Sequence, residues 1–87
     1  MKVKFYLDVL KPHSPSIDYV AGALMKIDGI IKVNVKLDEL DQKTASLHIN
    51  ITGIDVSLEE ITDKLSSLNC AVHSIDSVHY EKEDADL

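Results

Sequence analysis

Six side chains in the 87-residue sequence have the types and spacing from which a site could be built: Asp8, Lys11, His13, Glu39, Asp41 and His73. Lys11 and His13 lie in the stretch LKPHSPSID, Leu10 to Asp18, between a strand-like run and a helix-like one. A histidine just ahead of a helix N-terminus, with a lysine nearby, suits a small anion, because free N–H groups and the helix dipole favour negative charge there. The loop holds no glycine, whereas a phosphate cradle needs glycines so that the backbone can approach closely. Glu39 and Asp41 stand two apart and can project from one side of a strand end, offering oxygen ligands to Ca²⁺ or Mg²⁺. No EF-hand-type loop surrounds them, and the segment ELDQKT also reads as a solvated hairpin, since turns collect such residues. Asp8 and His13 would make a general-base pair only if a hydrogen bond joined them.

Other chemistry has less support. Histidines 13, 48, 73 and 79 lack a spacing such as HExxH, so zinc or copper would need distant partners. His73 and Asp76 are three apart and face opposite sides of a strand unless a bulge intervenes. Cys70 is the single cysteine, makes no internal disulfide, and suits a small core position after a helix stop.

The elements that must position these residues follow from periodicity. In KVKFYLDVL, Val3, Phe5, Leu7 and Val9 share one face, as in a half-buried strand. From Pro15 the period changes: Ile17, Val20, Ala21, Leu24 and Ile27 recur as on the inner face of a helix. Ser14 is expected to cap that helix, with Pro15 at its first position, and Asp28-Gly29 to end it. Ile31, Val33, Val35 and Leu37 mark a second strand, and Leu47, Ile49 and Ile51 a third. Ser57-Leu-Glu-Glu60 forms a capping box, after which Leu58, Ile61, Leu65 and Leu68 continue at helical spacing. Asn69 stands where a helix turns left-handed to stop. The last strand, CAVHSIDSVHY, has ambiguous parity, which a bulge or a sheet-edge position would explain.

The order βαββαβ predicts an α+β, ferredoxin-like sandwich over residues 1–80, a four-stranded antiparallel sheet with two helices on one face. Residues 81–87 form an acidic tail, expected to fray. The sheet's other face is polar and uncovered, carrying Lys4, Tyr6, Asp8, Lys32, Asn34, Lys36, His48 and Asn50. Topology places the loops LKPHSPS, ELDQKT and NCAVH at one end, which gathers the six candidate residues there.

Composition bounds what such a domain does. Fifteen acids, nine lysines and no arginine give a net charge of −6, the wrong balance for gripping nucleic acid. Asp8 interrupts the N-terminus before a signal peptide's apolar region can form, and no run approaches the ~20 apolar residues of a membrane span. A cytoplasmic protein with no membrane partner is expected. Copper-carrying ferredoxin-like domains resemble this chain in GIIKVNV, yet they hold metal with CxxC where this sequence reads KPHSPS. RNA-recognition domains need several stacking aromatics on the open face, and here Tyr6 stands alone opposite His48.

LDVLKPHSPSI at 7–17, GIIKVNV at 29–35, ELDQKT at 39–44 and HSIDSV at 73–78 resemble the small, mainly archaeal domain-of-unknown-function family 211, over nearly the whole chain. The resemblance implies a ferredoxin-like protomer and assembly into homo-oligomers, and it implies no activity. Matched by position, the family's polar hallmarks fall on Asp8, Lys11, His13, Glu39, Asp41, Thr44, His73, Ser74 and Asp76. The expectation is a non-enzymatic homo-oligomeric module. It would bind a divalent cation, calcium or magnesium, at Glu39 and Asp41, or a small anionic ligand at Asp8, Lys11, His13 and His73, between subunits. The alternatives are a regulatory protein–protein interaction domain, or a small enzyme using His13 as general base.

Overall fold

A computed structural model describes residues 1–82, so the expected fraying of the tail falls largely outside the described residues. The elements are β1 (Lys2–Pro12), α1 (Ile17–Met25), β2 (Ile30–Leu40), β3 (Thr44–Ile54), α2 (Leu58–Ser67) and β4 (Ala71–Glu81). The strands form one antiparallel sheet in the order β2-β3-β1-β4. This is the α+β ferredoxin-like arrangement that the periodicity predicts.

Alternation sorts the central strands cleanly. Val3, Phe5, Leu7 and Val9 of β1, with Ala45, Leu47, Ile49 and Ile51 of β3, point toward the helices and are at most 3% exposed. Val20 and Leu24 of α1 and Ile61 and Leu65 of α2 close over them. Each strand has 11 residues, about 36 Å of extended chain. Helices of 9 and 10 residues span only about 14 to 15 Å. The helical layer therefore covers the middle of the sheet better than its margins, and the molecule is elongated, 51 × 22 × 18 Å.

Regularity also differs between centre and margin. β1 and β3 pair without a break from Lys2↔Ile54 to Pro12↔Thr44. Each outer strand instead carries two extra residues: Ile31 and Asp38 in β2, His73 and Asp76 in β4. The mixed parity of Ala71-Val72 thus has its cause in a doubly bulged edge strand. Bulges twist an edge and break up its row of unpaired backbone groups, a common guard against uncontrolled sheet extension.

The helix starts show one agreement and one correction. Ser57 and Glu60 form the expected capping box, Ser57 Oγ accepting from Glu60 N–H at 3.1 Å and Glu60 Oε2 from Ser57 N–H at 3.1 Å. The first helix is capped by Ser16, whose Oγ accepts from Tyr19 N–H at 3.2 Å, and not by Ser14. The carbonyl of Pro15 accepts from the Lys11 ammonium at 2.6 Å instead of entering the helical ladder. Helical bonding consequently begins two residues later than a Ser14 cap would set it, and Ile17 lies 38% exposed rather than inward. The helix also stops at Met25, ahead of Asp28-Gly29, although Ile27 still packs on the core. Asn69 has the left-handed conformation expected of a helix stop, with φ 63°. Where β2 begins, Gly29 has φ 92° and a Cβ there would lie 2.3 Å from the Ile54 carbonyl, so only glycine lets the two backbones approach so closely.

Candidate functional site

The loop end gathers as topology predicts. Pro12 pairs with Thr44 at the β2–β3 hairpin and Leu10 with Ala71 at the entry to β4. His13 reaches the hairpin, its Nε2 donating to the Asp41 carbonyl at 3.0 Å. The hairpin is itself closed by Asp41 N–H donating to Thr44 carbonyl at 2.8 Å. Glu39, paired with Ser46 in β2, and Asp41, at the turn, both keep exposed carboxylates.

Lys11 occupies a different environment from the one its charge suggests. Its odd position in β1 continues the inward row of Val3 to Val9, and the residue is only 4% exposed. The ammonium donates to the carbonyls of Pro12 at 2.7 Å, His13 at 3.1 Å and Pro15 at 2.6 Å. An ammonium has three donors, and all three are spent on the loop's own backbone. Lys11 is thus the post around which KPHSP is wound, and the anion role that its sequence position suggests has no free donor here. Cys70 lies nearby: burial pushes its thiol pKa up, and the Lys11 charge partly opposes that. This suits an inert core cysteine.

Asp8 and His73 lie back from the loops, along the strands. Asp8 is on the open face, level with His48 of β3 and Ser74 of β4. His48 in turn is level with Lys36, and its Nε2 lies 3.2 Å from Asp38 Oδ2. This row therefore carries a carboxylate, Asp8, as well as a lysine, Lys36, on the same face. Four residues of extended chain, about 13 Å, separate Asp8 from Pro12, and the ring of His13 is tied to the hairpin, so the general-base pair is not assembled. His73 is a bulge residue and is exposed. His73 and Asp76 are themselves the two bulge residues of β4, and Asp76 Oδ1 accepts from Ser74 Oγ at 2.7 Å. Among the described residues, no three His, Cys, Asp or Glu side chains converge as a metal would require.

Sequence reasoning passed over one cavity. It is a groove of about 360 Å³ on the open face, toward the sheet end opposite the hairpin. Across its floor run Lys32, Thr52, Lys4 and His79, one from each strand in register. The next row is Asn34, Asn50, Tyr6 and Ser77. The alternation of β1, β2 and β3 in the sequence turns their share of these residues outward. The fourth contribution, Ser77 and His79, depends on the register of β4, which its sequence leaves open. No helix among the described residues is long and apolar enough to cross a membrane.

Comparison with known proteins agrees with the segments quoted from the sequence. The chain is 36% identical over 75 residues to the uncharacterized protein MJ0319 of Methanocaldococcus jannaschii, an alignment covering 86% of this chain and 77% of that protein. A family model described as uncharacterized ArCR, DUF211, matches residues 3–83. With βαββαβ order, the loop end wound on Lys11 and this match over nearly its whole length, the chain belongs to the DUF211 family.

Proposed function

We propose that the protein is a non-enzymatic module that works as a homo-oligomer, its subunits meeting along the margin formed by β4. The observation that carries this reading is the row Ile75, Val78 and Tyr80. These residues are level with Leu7, Phe5 and Val3 on the helix-facing side of the sheet, yet they remain 47%, 51% and 56% exposed. On the central strands the same row is core. Apolar surface at about 25 cal/mol per Å² favours a cover, and the short α2 leaves this row without one.

The bulges at Asp76 and His73 limit how a second copy can dock. From Ser77 to Glu81 the strand pairs with Lys2 to Tyr6 without interruption. That five-residue stretch is the regular part of the edge, and Val78 and Tyr80 lie in it. The opposite margin also exposes apolar side chains, Ile31, Leu37 and Leu40 of β2. A β4-to-β4 contact would close as a dimer, whereas a β4-to-β2 contact would repeat from copy to copy, giving a ring where its rotation closes.

The same reading accommodates a cation at the hairpin. Two carboxylates, Glu39 and Asp41, fill a minor part of the six to eight oxygen positions that calcium takes, so a neighbouring copy would supply further ligands. Native mass spectrometry with and without Ca²⁺ and Mg²⁺ tests both parts. A fixed multiple of the protomer mass is expected, and Val78→Glu should shift it to the monomer while leaving the circular dichroism spectrum intact. A wild-type protein that is monomeric at micromolar concentration would end the proposal.

A further inference from the structure

We infer that the groove on the open sheet face binds a phosphate monoester of a small hydroxyl-bearing molecule, with the phosphate between Lys4 and Lys32. The argument starts from charge placement. The whole chain is acidic by six charges, yet the row Lys32–Thr52–Lys4–His79 crosses the entire sheet without a carboxylate. Neighbouring strands are about 4.8 Å apart, so Lys4 stands directly beside His79 and about two strand spacings from Lys32. The two ammonium groups on this row repel one another. Among the described residues neither ammonium makes a salt bridge. Lys4 and Lys32 are also exposed, so their donors are free, in contrast to those of Lys11.

One carboxylate lies close. Glu81 Oε1 is 3.0 Å from His79 Nε2, and its pKa is lowered first by that hydrogen bond and further by Lys2, His79 and Lys4. Glu81 thus orients the His79 ring and offsets Lys2, which is level with it. Lys32 lies three strands away and is not among the groups acting on Glu81. A ligand phosphate between Lys4 and Lys32 would supply the missing counter-charge, with lysine acting as a point-charge partner.

The adjoining row specifies the rest of the ligand. Asn34, Asn50, Tyr6 and Ser77 offer both donors and acceptors and no charge. A body rich in hydroxyls satisfies such a surface, whereas an apolar one would leave these groups unpaired. The groove's volume is at the lower end of small-molecule sites, about 300 to 1,000 Å³. This inference is independent of self-association, which uses the opposite side of β4.

Calorimetric titration of the full chain with ribose 5-phosphate, inorganic phosphate and ribose, at constant ionic strength, tests it. Ribose 5-phosphate should bind most tightly, phosphate more weakly, and ribose not detectably. Lys4→Ala with Lys32→Ala should weaken ribose 5-phosphate by about tenfold or more, the loss of at least one charge-assisted contact. Asn50→Ala should narrow the gap between ribose 5-phosphate and phosphate. Unchanged affinity in the double-lysine variant would overturn the inference. So would the absence of saturable binding by either phosphate probe in the wild type, or a preference for a polyglutamate peptide over both, which would make the groove a protein-docking surface. Oligomer mass measured on the same samples separates these outcomes from the fate of the β4 interface.

Discussion

Lys4 and Lys11 lie seven residues apart on one strand, and the odd spacing sends them to opposite sides of the sheet. Lys11 faces the helices, is 4% exposed, and gives its three donors to backbone carbonyls of the loop that follows. Lys4 faces outward beside His79, with its donors open to the groove. One residue type thus does structural work at one end and provides unspent charge at the other. Position in the alternation decides which, and mere proximity of a lysine to a histidine does not.

Substitutions can break that contrast, beginning with the largest expected effect. Lys11→Met keeps the length of the side chain but leaves three carbonyls without their donor, and should cost about 2 to 3 kcal/mol. For a domain of this size that lowers Tm by roughly 10 °C or more in a thermal melt. The same variant removes the positive charge that opposes the raised thiol pKa of Cys70, so the thiol should react still more slowly with a thiol-specific reagent under native conditions. His13→Ala loses one exposed bond to the hairpin carbonyl and should cost about 1 kcal/mol, seen as faster hydrogen exchange at the Asp41–Thr44 closure. Lys32→Ala should fall within about 0.5 kcal/mol of wild type, as for a surface site, and any change should be toward greater stability at low salt as like charges separate. If Lys32→Ala were as damaging as Lys11→Met, the distinction between the two lysine environments would fail.

The smallest expected effect concerns Glu81. Its folded pKa lies below its unfolded value, so its contribution to stability is present above the ordinary glutamate range and disappears as pH falls through the lowered folded value. Glu81→Gln should therefore be slightly less stable than wild type near neutrality, and the two melting curves should converge in acid. A gap that widened on acidification would contradict the assigned sign.

The sequence makes the alternation of β1 and β3 legible because the central strands are regular, and the same is true of the Ser57 capping box and the Asn69 stop. Lys11 was legible in part. Its parity matches Val3 to Val9, but a lysine on an inward row reads as the end of the strand unless a cage of carbonyls is foreseen. Those carbonyls come from a folded loop, which carries no periodic signal. The displaced cap has the same origin, since Pro15 gives its carbonyl to Lys11 and hands the helix start to Ser16. The groove row is hidden by the bulges in β4: each extra residue flips the parity, so the sequence alone does not align His79 with Lys4.

Strand order carries one more consequence, for the time during which the chain is made. β1 lies between β3 and β4, yet both partners are synthesised after it. At about 5 to 20 residues per second, the stretch from Pro12 to Thr44 takes roughly 2 to 6 seconds to emerge. Throughout that interval Val3, Phe5, Leu7 and Val9 have no neighbouring strand to pair beside them. The next apolar surface to appear is α1, with Val20 and Leu24 on one face, and it follows β1 by a short loop wound on Lys11. A nascent chain that clasps its own central strand under that helix has a provisional cover until the β2–β3 hairpin arrives.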